Sequence, residues 1–158
     1  GLTHLLNRVA FKNSYPALLK EFHGTMTVVL ADLDGLKIIN DSYGHDDGDF
    51  AICAVADALR SSCPDNSLCI RWGGDEMVAV IPGDVDSGSV RKSVESFLDR
   101  VNASSGKEYT ISASVGIKSF DIADSSDFGD MVRLTDQLMY SDKKQKKELK
   151  LRNSQSQE

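Results

Sequence analysis

Four carboxylates stand where apolar runs meet turns. Asp32 and Asp34 follow "TMTVVLA", and Asp75 and Glu76 lead into "MVAVI". A charge at the mouth of a buried strand is costly unless something neutralises it. If the two strands are neighbours in one sheet, the acids converge at one edge. Such an oxygen-rich edge suits a hard divalent cation, Mg²⁺ or Mn²⁺, which keeps nucleotide phosphates as co-ligands. "DGLK", residues 34–37, opens a helix whose first N–H groups favour phosphate, and Lys37 adds a mobile positive charge in its first turn. Gly73 and Gly74 leave room for a ligand to press against the backbone.

Each feature alone has a plainer reading. Asp32 and Asp34 could cap a helix, and Gly73-Gly74 could be only a turn. A calcium loop fits poorly, because the twelfth position from Asp32 is Tyr43 and not Glu. "DLDG" also resembles the opening of haloacid-dehalogenase phosphotransferases, but their later Ser/Thr, Lys and acidic motifs do not follow here.

The elements that must position these residues are legible in outline. "LLNRVAFKNSYPALLKEF" has helical spacing at Leu6, Val9, Leu18 and Leu19, with a break near Pro16. "TMTVVLADLD" reads as a central strand. "GLKIINDSYGHD" is a short helix, and "DGDFAICAVADALRSSC" an amphipathic one with Phe50, Val55, Ala58 and Leu59 as its stripe. "SLCIRW" and "EMVAVIP" flank Gly73-Gly74, the signal of a two-residue hairpin. A helix over "SGSVRKSVESFLDRVNASS", a strand over "YTISASVGIKSF" and a helix from "DFGDM" complete the order α-β-α-α-β-β-α-β-α. Met139 and Tyr140 read as core, His45 as a turn or packing residue, and His4 and His23 have no evident partner. The fold class is α/β (α+β): a mixed, mainly antiparallel sheet flanked by helices.

The 158 residues suffice for one domain with its own core, ending in a tail over about 149–158. The chain opens at Gly1 without an initiator Met, so it reads as a piece of a longer protein with a regulatory domain upstream. A formal net charge of −6 argues against a nucleic-acid backbone as partner. The basic run "KKQKKELKLR" reads as a solvated helix end. No apolar run is long enough to span a bilayer, so this domain is expected to make no membrane contact and to lie in the cytoplasm, whatever anchors the full-length chain. Cys53, Cys63 and Cys69, odd in number and unpaired in spacing, point to buried thiols in a reducing compartment.

Together the pieces resemble the GGDEF domain of diguanylate cyclases. The matching stretches are "LTHLLNR" (2–8), "DLDGLKIINDSYGHDDGD" (32–49), "RWGGDEM" (71–77), "ISASVGI" (111–117) and "TDQLMYSDKK" (135–144). The resemblance implies a sheet related to nucleotidyl-cyclase and polymerase palm domains. It implies that each domain binds one GTP, and that two domains in a transient homodimer join the nucleotides into cyclic di-GMP. By the same resemblance, Asp32, Asp75 and the Leu33 carbonyl would hold the metal. Asn40 and Asp49 would read guanine, and Gly73 and Gly74 would lie over the nucleotide. Asp75 and Glu76 would serve catalysis, Glu76 near the metals or the reacting 3′-hydroxyl. Lys37, Lys143 and Lys147 would contact phosphates. The chain departs from the family pattern at Leu36 and Met77, where Phe is usual, and at Lys146-Lys147-Glu148, where Gly-Arg-Asn is usual. A lysine cannot reproduce an arginine's bidentate fork, so Lys147 would grip phosphate differently. The alternative implied by these departures is a module that binds GTP or a partner without turnover.

Overall fold

Strand β1 (Thr25–Leu33) is buried at every residue from Met26 to Leu33, and both faces of the sheet are therefore covered. The computed structural model describes residues 1–21, 24–122 and 127–157; Phe22 and His23 lie outside them. The remaining elements are α1 (Arg8–Glu21), α2 (Leu36–Tyr43), α3 (His45–Ser62), β2 (Leu68–Arg71), β3 (Glu76–Pro82), α4 (Ser87–Ser104), β4 (Ala113–Asp121) and α5 (Phe128–Gln155). The order is the one the sequence predicts.

The strands form one sheet in the order β2-β3-β1-β4. All three named pairings are antiparallel; the parallel component is an isolated bridge between Leu6 and Ile70. Side chains alternate along β1. Val29, Ala31 and Leu33 join Met77, Ala79 and Ile81 against α3 and α4. Met26, Val28 and Leu30 join Val78, Val80 and Phe120 against α1 and α5. No described helix is long and apolar enough to cross a membrane.

Several local expectations are corrected. α1 runs through Pro16 without a break. Proline lacks the N–H that would bond the Lys12 carbonyl, but Phe11, Tyr15 and Leu18 pack into the core and hold the helix together. Val9 and Phe50 are exposed rather than core. Phe50 instead carries the Lys107 ammonium 5.1 Å above its ring. Met139 is buried, but Tyr140 next to it faces outward. The three thiols are only partly buried. β4 starts at Ala113, later than "YTI" suggests, because the Asn102 side chain takes both the N–H and the carbonyl of Ile111 at 2.8 Å. α5 continues to Gln155, so most of the expected tail is helical.

Candidate active site

The register of β1 on β3 places Asp32 opposite Glu76. The Leu33 N–H donates to the Asp75 carbonyl at 3.0 Å, which carries the pairing one residue past the ladder. The two acid pairs thus meet at one sheet edge, as their positions at strand ends predict.

Hairpin geometry departs from the two-residue expectation. Residues 72–75 connect β2 to β3, and the N–H groups of Trp72 and Gly73 both donate to the Glu76 carbonyl, at 2.9 and 3.1 Å. Neither Gly73 nor Gly74 has a positive φ, so this is not the turn that demands glycine. A Cβ on Gly74 would meet nothing within 4 Å. Packing within the chain therefore does not require the pair, and its surface is left bare for something outside. Arg71 braces the turn by donating to the Gly74 carbonyl through Nη2 (2.7 Å) and Nε (3.2 Å), a role its sequence position did not signal.

Asp32 is the buried acid of the group. Lys143 of α5 pairs with its Oδ2, while Oδ1 is buried and has no hydrogen-bond partner among the described residues. Burial is the main influence on this carboxyl. It raises the pKa despite the Lys143 hydrogen bond, and the neighbouring Asp75 raises it further. Burial likewise raises Glu76, with Asp136, Asp32 and Asp75 adding to the effect. For Lys143, burial works against the ammonium, but Asp32, Asp34 and Asp75 outweigh it and the pKa rises. An excess of negative charge is thus concentrated at the hairpin edge.

Asp34 plays a different part. It does not cap α2, whose N-cap is Gly35 with φ +71° and no side-chain bond. Its carboxylate accepts from Ser114 Oγ (2.6 Å), Ser112 Oγ (2.9 Å) and Lys146 Nζ (3.3 Å), and so ties β1 to β4 and α5. α2 therefore starts without a side-chain cap, with its first N–H groups available, and Lys37 is exposed in that turn.

An open cleft of about 510 Å³ lies alongside, lined by Asp34, Gly35, Ser112, Lys143, Lys146 and Lys147 among others. Lys143, Lys146 and Lys147 share one face of α5 by their spacing. Lys146 turns inward, which the reading of the run as a solvated end missed. Asp142 sets the helix in place: it accepts the Val115 N–H and the Arg91 guanidinium, each at 2.9 Å. Asn40 is half-buried at the C-terminal part of α2, and its side chain lies against Gly48 of α3; Asp49, the next residue, is exposed. Asn40 and Asp49 thus stand on adjoining helices, α2 and α3, where Asn40 meets Gly48.

Among the described residues, no three His, Cys, Asp or Glu side chains are grouped to hold a metal by themselves. That is no bar to Mg²⁺, which takes one or two carboxylates and completes its shell with phosphates and water. The unpartnered, buried Oδ1 of Asp32 beside Asp75 fits such an ion.

Comparison with known proteins bears on what this edge belongs to. A family model described as "Diguanylate cyclase, GGDEF domain" matches residues 1–149. The diguanylate cyclase DgcM of Escherichia coli (strain K12) is 32% identical over 124 residues, covering 73% of this chain and 29% of that protein. The matched stretches make up between 9% and 36% of the length of such curated relatives. The crystal structure of the GGDEF domain of DgcB from Caulobacter crescentus in complex with c-di-GMP superposes with a TM-score of 0.74 at 25% identity, over 91% of this chain and 88% of that one. The diguanylate cyclase SiaD, in complex with its activator SiaC from Pseudomonas aeruginosa, matches with a TM-score of 0.72 at 27% identity, over 91% of this chain and 57% of that one. With its sequence matched almost end to end and its fold matched to solved domains of the same kind, the chain belongs to the GGDEF domain family of diguanylate cyclases.

Proposed function

We propose that this domain is a diguanylate cyclase, joining two GTP molecules into cyclic di-GMP with release of two pyrophosphates across a transient homodimer. The observation that carries the reading is Asp32: a buried carboxylate with one oxygen unpartnered, next to Asp75 and opposite Glu76. Such an edge is arranged to be neutralised by an arriving cation and phosphate chain.

Asp32, Asp75 and the Leu33 carbonyl would hold Mg²⁺ or Mn²⁺. The ion would supply charge neutralisation at the α-phosphate and lower the cost of deprotonating a 3′-hydroxyl. The chain's own residues do the rest by positioning, which dominates phosphoryl-type transfer. The free N–H groups at the start of α2 face the phosphates, with Lys37 beside them. Lys143 exchanges Asp32 for the triphosphate, and Lys147 flanks it. Glu76, with its proton held more tightly than an exposed glutamate's, is placed to accept the 3′-hydroxyl proton. Asp49 accepts from the guanine N1–H and N2–H₂ edge and Asn40 completes the set, which selects G over A. Bare Gly73 and Gly74 allow the nucleotide to approach the hairpin. One domain holds one nucleotide, so turnover needs two copies face to face. Regulation would come from a domain or partner outside residues 1–158, as SiaC acts on SiaD.

Lys147 favours a second reading, a module that binds GTP without turnover: a lysine stands where the family has an arginine fork. Incubating concentrated or artificially dimerised protein with GTP and Mg²⁺ and separating the products by chromatography decides between the two. Cyclic di-GMP formation supports the cyclase; GTP binding without product supports the module. Asp75→Ala is expected to abolish product and Mg²⁺-dependent GTP binding together, and product formation by that variant would remove the metal-site assignment.

A further inference from the structure

A second cavity, of about 400 Å³, opens between α1 and the start of α5, on the face of the sheet that packs α1 and α5. That volume lies within the roughly 300–1,000 Å³ range of small-molecule pockets. Its walls are rings. Phe11 lies 4.6 Å from Phe128 and 5.0 Å from Tyr15, and Trp72 meets Phe128 edge-on at 5.7 Å between centroids. Arg8 and Lys12, on successive turns of α1, also line the cavity. The Arg8 guanidinium stacks 4.1 Å above Trp72 and donates to the Trp72 carbonyl at 2.8 Å.

One polar atom inside this wall is unexplained. Tyr15 Oη is buried and has no hydrogen-bond partner among the described residues. A phenol in that state costs about 1–3 kcal/mol of lost hydrogen bonding, so the position is tolerated at a loss unless something else completes it. Burial, with Asp127 adding to it, pushes the phenol pKa up to about 12, so the group stays a donor at neutral pH. Among the charged groups here, Asp127 is the acid; one of its oxygens accepts the Gly129 N–H at 2.9 Å. Arg8 and Lys12 leave the cavity net positive on a chain that is net negative.

We propose that this cavity binds a small planar aromatic carboxylate, with rings against Phe11, Phe128 and Trp72 and the carboxylate between Arg8 and Lys12, and that a small turn of the Tyr15 side chain brings its buried Oη to a ligand oxygen. The site is separate from the acid edge and does not depend on the nucleotide reading. It adjoins that edge through Trp72, whose N–H donates to the Glu76 carbonyl and which immediately precedes Gly73.

Trp72 is the sole tryptophan, so its fluorescence reports on the cavity directly. The test titrates the whole chain with 2-naphthoate, and with the cationic analogue 2-naphthylmethylammonium, while amide and indole shifts are followed by NMR. Saturable quenching by the carboxylate is expected, with shifts centred on residues 8–16, the Trp72 indole and Gly129. Lys12→Glu, a surface change, removes one exposed charge pair, worth up to about fivefold, and adds a repulsion, so it is expected to weaken binding severalfold. Tyr15→Phe is expected to weaken it severalfold while leaving thermal stability unchanged or raised. Absence of saturation at millimolar probe would overturn the proposal. So would equal affinity for the cation, indifference to Lys12→Glu, or shifts clustered elsewhere.

Discussion

Gly48 is shaped by Asn40. A Cβ built on Gly48 would fall 1.8 Å from Asn40 Oδ1 and 2.9 Å from its Cγ, so α3 approaches α2 at the one point where the Asn40 amide is held. Replacing glycine with alanine inside a helix normally stabilises it by about 0.5–1 kcal/mol. Here the added methyl must displace the Asn40 side chain. On the proposed function, Gly48→Ala is therefore expected to raise KM for GTP about tenfold and to narrow the preference for GTP over ATP, without the usual gain in stability. Steady-state kinetics with both nucleotides and a melting curve check this together. An unchanged KM with a raised Tm would show that Asn40 has no such role.

Gly116 of β4 lies directly against the backbone of α5. A Cβ there would lie 2.5 Å from the Thr135 carbonyl oxygen and 2.7 Å from the Met139 nitrogen, both backbone atoms that cannot rotate aside. Gly116→Ala is expected to destabilise the domain by about 1–3 kcal/mol, which lowers Tm by roughly 2–4 °C per kcal/mol in a chain of this size. On the proposed function, because α5 carries Lys143, the variant is also expected to weaken GTP binding. Differential scanning calorimetry measures the first effect and GTP titration the second.

The strand ends were readable because charge following an apolar run has few physical explanations, and the Asp32–Glu76 juxtaposition needed only that the two strands be neighbours. The distribution of roles among the acids was not readable. Asp34 looks like Asp32 in sequence, but the hydroxyls of Ser114 in β4 and Ser112 just before it make it a structural tie. Those serines are 78 and 80 residues away, and no local pattern marks them as partners. Lys146 was hidden in a basic run that solvation explains equally well, until the fold brought Asp34 and the Ala113 carbonyl to it. Pro16 and Phe50 show tertiary packing overriding local preference: rings beneath α1 keep a proline helical, and a lysine above Phe50 makes an outward ring tolerable. The hairpin glycines are not explained by a two-residue turn, since their φ values do not require glycine, but the open space around Gly74 agrees with room left for a ligand.

Asp47 gives the domain an acid-sensitive clasp. Its Oδ1 accepts from Lys107 Nζ at 2.8 Å and from Tyr109 Oη at 2.7 Å, joining the first turn of α3 to the loop before β4. The Lys107 hydrogen bond first, then Tyr109, hold this carboxyl below the usual aspartate range. A carboxyl whose pKa is lower folded than unfolded stabilises the fold fully above its unfolded value, about 3.9. That stabilisation is lost as pH falls through the folded value. Asp47→Asn is therefore expected to be less stable than the parent at pH 7, with the two converging below about pH 4. Urea midpoints across that range test it; a gap that persists at pH 2 would assign the loss to geometry rather than charge.

The last expectation concerns feedback by product. Many members of this family carry an inhibitory site, Arg-x-x-Asp, five residues before the glycine pair. Here those positions are Pro64 and Ser67, in a turn where the Ser67 N–H donates to the Pro64 carbonyl at 3.0 Å. Proline offers neither charge nor donor, so it cannot fork onto a phosphate or a guanine edge. Ser67 Oγ is buried and supplies no carboxylate to the surface. Asp65 is exposed, but it stands one residue after the arginine's place and two before the aspartate's. With the cation of the pair missing, one acid alone repels the phosphates of a cyclic dinucleotide. On the proposed function, added cyclic di-GMP is therefore expected to leave the initial rate unchanged at concentrations well below those that compete with GTP. Progress curves with and without the dinucleotide measure this, and a calorimetric titration measures binding directly. Tight, saturable binding that is lost on substitution of Asp65 or Ser67 would show that the turn recognises product by other means.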